Sequence, residues 1–196
     1  MSHAARRFEW IAGTVLALLL LIGFGVLKRC EAHYNVYGRS NDGATEGLQS
    51  NVAAALSCLE AQAPGLRPGQ DTAAVAEQLT DCAGTDILNQ DDDAIRPIDW
   101  LHSENGTIAV TSTATADRLN LTLLTESSAV ATAGVSQDRT TLGTCWQVAS
   151  VVRSGTLSSP SGTPCKESVA TRANIQEQVA FDGLELAGAA GGGAGV

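Results

Sequence analysis

Positive charge is scarce in this sequence. Its 196 residues hold 12 Lys and Arg against 21 Asp and Glu, a formal charge of -9, and lysine occurs only at Lys28 and Lys166. Residues 1–30 are net +3, from Arg6, Arg7, Lys28 and Arg29 less Glu9, which leaves -12 on residues 31–196. A domain that acidic repels phosphate backbones, which argues against nucleic-acid binding. Catalytic signatures are missing as well. No G-x-S-x-G frames a serine nucleophile, so His102, with Asp99 before it and Ser103 and Glu104 after it, reads as a solvent-facing loop histidine. The run Asp91-Asp92-Asp93 lacks the D-x-D-x-D-G spacing and distal Glu of an EF-hand and reads as a solvated acidic turn. His3 and His33 lie in flanks without paired ligands. No catalytic, cofactor-binding or metal-binding residue is therefore expected. Aromatic residues make up 4% of the chain, so Trp100 and Trp146 are read as core anchors.

A different absence organises everything else: no charge interrupts Trp10 to Leu27. As a helix this run is about 27 Å long, close to the hydrocarbon thickness of a bilayer, and the expectation is one crossing. A cleaved signal peptide is the competitor, because Arg6 and Arg7 form an acceptable basic leader. The run is long for that role, and Lys28 and Arg29 stand where a cleavage region is small and uncharged. The same cations before Cys30 exclude a lipobox. Gly13, Gly23 and Gly25 form no GxxxG dimerisation motif.

Five cysteines decide the orientation. Cys30 is the odd one, at the membrane face. The other four suggest two bridges and hence an oxidising compartment, which places the N-terminus in the cytoplasm and the bulk of the chain outside. Phe8 and Trp10 at one end, Tyr34 and Tyr37 at the other, suit interfacial positions.

Beyond the anchor, Gly38 reads as a helix stop and Asn41-Asp42-Gly43 as a turn. Leu48, Val52, Ala55, Leu56 and Leu59 then mark one face of a helix from about Thr45 to Gln62. The stretch Ala63 to Gly69 is a turn, and Val75, Leu79 and Cys82 share the face of a second helix capped by Asp71 or Thr72. These two form a hairpin stapled by Cys58 with Cys82. Asp86 to Trp100 reads as an acidic linker. From Thr107 the period becomes two, with strands around Ile108 to Ser112, Leu119 to Leu123 and Trp146 to Val152, and a weaker one at Ala129 to Val135. Cys145 pairs with Cys165 across the loop between them. Of the three connectivities open to four cysteines, these pairs join segments already adjacent in the topology. Val169 to Phe181 fits either a late strand or a helix, with disorder as the remaining alternative, and the run after Leu186 is a flexible end.

The expected fold is therefore α+β: an N-terminal transmembrane helix, then a two-helix hairpin packed on a small antiparallel sheet with two disulfides. The expected parts are a cytoplasmic tail (1–9), the span (10–27), a juxtamembrane linker (28–43), an extracytoplasmic domain (44–183) and a flexible tail (184–196). With the segment TCWQVASVVRSGTLSSPSGTPC, where a Cys-led strand returns to a Pro-Cys, this plan resembles uncharacterised actinobacterial single-pass envelope proteins. It is also similar to type IV pilins, which join an N-terminal hydrophobic helix to a sheet and a C-terminal disulfide loop. Arg7, Phe8 and Glu9 stand here in place of the pilin processing signature. The first of these families implies no activity; the retained anchor, the stapled domain and the lack of a convergent polar site point to a structural or partner-binding envelope protein without catalysis, its partners being the bilayer through residues 10–27 and either an envelope protein or a second copy. A pilin-like assembly subunit is one alternative, and a secreted hydrolase or calcium-binding module another.

Overall fold

Helix α1 runs without interruption from His3 to Gln62. The computed structural model describes residues 3–63, 72–84, 87–98, 100, 106–115, 118–151, 154 and 156–186; at 3–14, 17, 29–35, 72 and 73 it describes the helical backbone alone. The stop expected near Gly38 and the turn at Asn41-Asp42-Gly43 are not formed: the helix continues through residues 28–43. Val36, Ser40, Ala44, Leu48, Val52, Ala55 and Leu59 are all buried. Their spacing of three to four residues draws one face straight through the expected break. Burying that face outweighs the roughly 1 kcal/mol that each glycine costs a helix. Two of the glycines permit close approach. A Cβ on Gly43 would sit 3.2 Å from the Ala129 Cβ, and one on Gly47 would collide with the Ser127 hydroxyl.

Under this helix lies a sheet. β1 (Thr107–Ala114), β2 (Arg118–Ala133) and β3 (Ser136–Val151) are antiparallel neighbours in chain order. The outer edge of β3 carries β4 (Thr156–Leu157) and β5 (Ser161–Gly162), both antiparallel to it, and β6 (Glu177–Gln178), which is parallel. The sheet is thus mixed, where an antiparallel one was expected. The late segment divides between both expected forms: helix α3 (Glu167–Arg172), then β6, then a 3₁₀ turn at Phe181–Gly183. The weaker strand expected at Ala129 to Val135 is no separate element. It is the distal end of β2, which pairs with β3 without a break from Arg118↔Val151 to Ala133↔Ser136. The two-residue loop left between them, Gly134-Val135, has Gly134 at φ +61°, the first-position glycine of a type II′ hairpin turn.

Both faces of the sheet are covered. On the first, Ala109, Leu119, Leu121, Leu123, Trp146 and Val148 meet Val52, Ala55, Leu56 and Leu59 of α1 together with Val75 and Leu79 of α2 (Thr72–Thr80). On the second, Ile108, Val110, Leu124 and Cys145 meet Ile87, Ile95, Ile98, Val169 and Ala173. The stretch read as an acidic linker therefore supplies three isoleucines to a second core. Gly84 just before it and Asn89 within it shield the free edge of β1, since Gly84 N–H donates to Thr107 O (3.0 Å) and Asn89 N–H to Val110 O (3.0 Å). Asp99 and 101–105 lie outside the described residues.

Cys58 is bonded to Cys82 and Cys145 to Cys165, with Cα–Cα separations of 5.7 and 5.2 Å. Gln78 Nε2 donates to Gln62 Oε1 at 3.1 Å, so matched positions run backward along α1 as they run forward along α2: the two helices are antiparallel. The first bridge holds a nine-residue helix that is too short to persist alone. In the full chain, C58S/C82S is expected to lose about 3 kcal/mol, read as a lower urea midpoint. An unchanged midpoint would mean that apolar packing alone holds α2.

Candidate functional site

The largest unpaired feature is the lower half of α1. From Val36 onward its sheet-facing side chains are buried, whereas ten large apolar residues between Val15 and Leu27 are 53–73% exposed. Among the described residues nothing folds over them. Among the described residues no helix is long and apolar enough to cross a membrane.

Concavities are modest. Between β5 and β6, where Thr163 N–H donates to Cys145 O (3.0 Å) and Val179 N–H to Gly143 O (2.9 Å), a cleft of about 370 Å³ has the Cys145–Cys165 bridge in its wall. Its polar side chains are Thr163, Gln178 and Asp182. A broader groove of about 820 Å³ runs along α3 past Asp92, Lys166, Ser168 and Arg172. Lys166 and Asp92 pair there at 3.5 Å with both side chains more than half exposed, a contact worth little in water. Asp91 and Asp93 are exposed, and among the described residues no three His, Cys, Asp or Glu side chains converge on a metal position. His102, Ser103 and Glu104 lie outside the described residues; for His3, Cys30 and His33 only the helical backbone is described.

The helix–sheet seam beside the exposed segment is unusually polar. Ser40 Oγ shares a hydrogen bond with Thr140 Oγ1 (2.7 Å), donates to Tyr37 O (2.9 Å) and lies 3.3 Å from Asp138 Oδ2. Higher up, Asn51 Nδ2 donates to Glu126 O (2.8 Å), tying α1 to the point where β1 begins. A row of buried threonines, Thr107, Thr125 and Thr144, crosses three strands at that level. Period-two reading marks such positions as core but cannot distinguish a hydroxyl row from an apolar one.

Glu126, on β2 opposite the start of β1, is half-buried. Burial raises its carboxyl above the ordinary 4.5, against the lowering effects of the Ser128 hydrogen bond and the Arg139 charge. A raised carboxyl favours the folded state fully below its unfolded value, and that contribution is lost as pH rises through the folded value. Glu126→Gln is therefore expected to melt later than the parent chain near neutral pH and level with it near pH 4. Parallel melting curves across that range would show that Arg139 already compensates the charge.

Comparison with protein-family models, with curated proteins and with solved structures finds no match to this chain.

Proposed function

We propose that this chain is a single-pass membrane protein whose acidic α+β domain stands outside the cell membrane and serves a structural or partner-binding role in the envelope. The observation that carries the reading is the bare apolar segment of α1. Ten large apolar side chains left half or more exposed correspond to on the order of 10 kcal/mol of unfavourable hydration, which a bilayer removes and the domain does not. Arg6 and Arg7 before the uncharged run and Lys28 and Arg29 after it bracket the span with cations that suit headgroups. Two disulfides in one small domain support an oxidising compartment. In membranes from expressing cells, the full-length chain is expected to stay in the pellet after alkaline carbonate washing, and a C-terminal tag to be open to protease in spheroplasts. Release by carbonate, or a protected tag, sinks the reading.

One observation favours a second role within the same topology. The helix that emerges bare at its start is the same unbroken helix that packs on the sheet at its end, and a bridge closes the region after β3. That is the plan of a pilin-like assembly subunit, in which the apolar segments bundle after leaving the bilayer. Cell-surface filaments containing this chain would support it; membrane fractions with only monomers would remove it.

A further inference from the structure

The β2–β3 hairpin points back toward the start of α1. Gly47 sits against Ser127 and Gly43 against Ala129, while Ser40 reaches Thr140 and Asp138, the β3 partners of Ala129 and Ala131. Descending four residues of α1 therefore matches advancing two residues of β2, about 6 Å in either element, so helix and hairpin run side by side in opposite senses. Gly134 lies five residues beyond Ala129, about 17 Å further, which equals roughly eleven helical residues. The turn is thus level with helix residue 32, about 7 Å past Leu27 at 1.5 Å per residue. A bilayer's headgroup layer is about 5–7 Å thick on each side, so the turn reaches its outer boundary.

The chemistry of the turn fits that position. No charge occurs from Ser127 through Gln137, although residues 31–196 carry -12. Val135 at the tip is fully exposed, at 103%. Asp138, the nearest acid on β3, lies within reach of Ser40 and on the helix side. An uncharged apolar tip is what an acidic domain needs where it meets a surface containing anionic lipid.

We propose that the Gly134-Val135 turn is a second membrane contact, seated in the lipid headgroup layer beside the anchor, with Val135 as the side chain that enters it. The proposal rests on the reading of residues 10–27 as a membrane span. Two points of contact, one through the helix and one through the hairpin tip, hold the domain upright on the surface and fix which of its faces a partner meets.

The test places a benzophenone amino acid at position 135, at Leu20 or at Ser159, one per variant, in the full chain reconstituted into vesicles of phosphatidylcholine and phosphatidylglycerol. Ser159 is exposed and follows Ser158, whose backbone N–H bonds Ala149 O, about 45 Å from the turn along β3. After illumination, lipid adducts are located by mass spectrometry. Labelling at 135 about tenfold above that at 159, and of the same order as at 20, is the expected result, since 159 stands beyond the headgroup layer. Strong labelling at 20 with 135 no higher than 159 overturns the hairpin contact and leaves the span intact. Absence of labelling at 20 overturns the span, and with it the level from which the contact was derived.

Discussion

Trp146→Ala is expected to destabilise the domain by about 3–5 kcal/mol, enough to unfold most of a small domain at body temperature. Trp146 is fully buried between the sheet and α1, in the same core as Val52, Leu56 and Leu59. Its ring stacks on Phe181 with centroids 5.7 Å apart and planes 23° from parallel, so removing it also frees the 3₁₀ turn that closes the chain's last descent along β3. Its indole N–H donates to Thr125 Oγ1 at 2.9 Å, and Thr125 in turn shares a hydrogen bond with Thr107 Oγ1 at 2.9 Å. Truncation therefore opens a cavity and takes the donor from a buried hydroxyl pair. Trp146→Phe separates the two effects. It keeps most of the volume and loses the N–H, and its expected cost is about 1–2 kcal/mol. Urea unfolding of the detergent-solubilised chain checks both. Equal losses for Phe and Ala would mean that the hydrogen bond, and not the packing, dominates at this position.

How far the sequence announced this arrangement depends on which signal each element uses. Val75, Leu79 and Cys82 formed a stripe in the sequence and are buried, and both disulfides join segments that adjacency alone had paired. Glycine misled. Gly38 and Gly43 look like terminators because glycine costs a helix local free energy, yet the face through Val36, Ser40, Ala44 and Leu48 is settled by contact with strands some ninety residues later. The stripe was present at four-residue spacing, disguised by a serine and an alanine. β2 reads as two pieces because Thr125 and Ser127 break its leucine pattern; both are buried, Thr125 bonded to Trp146 and Thr107, and Ser127 against Gly47, where a small polar side chain lets the helix come close. The second face was hidden for a related reason. β1 is buried on both sides from Thr107 to Val110, so alternation pointed to one core when there were two. The isoleucines that complete the other core lie among aspartates with no period to reveal them.

The other large effect belongs to the proposed anchor. Leu18 and Leu19 are at the middle of the uncharged run, each 61% exposed. Replacing both by arginine adds about 5–7 kcal/mol to the free energy of placing that segment at the bilayer centre. L18R/L19R is therefore expected to leave the carbonate-resistant pellet, with its spectroscopic signature of folding unaltered once the domain is oxidised in vitro. A consequence follows for the cysteines. A chain that no longer enters the membrane remains in a reducing compartment, where Cys58, Cys82, Cys145 and Cys165 stay as thiols, so alkylation before purification should tag all four in the variant and none in the parent. Membrane retention of L18R/L19R with both bridges intact would show that the apolar segment is not what delivers the domain, and the exposed half of α1 would then have to be covered by protein instead of lipid.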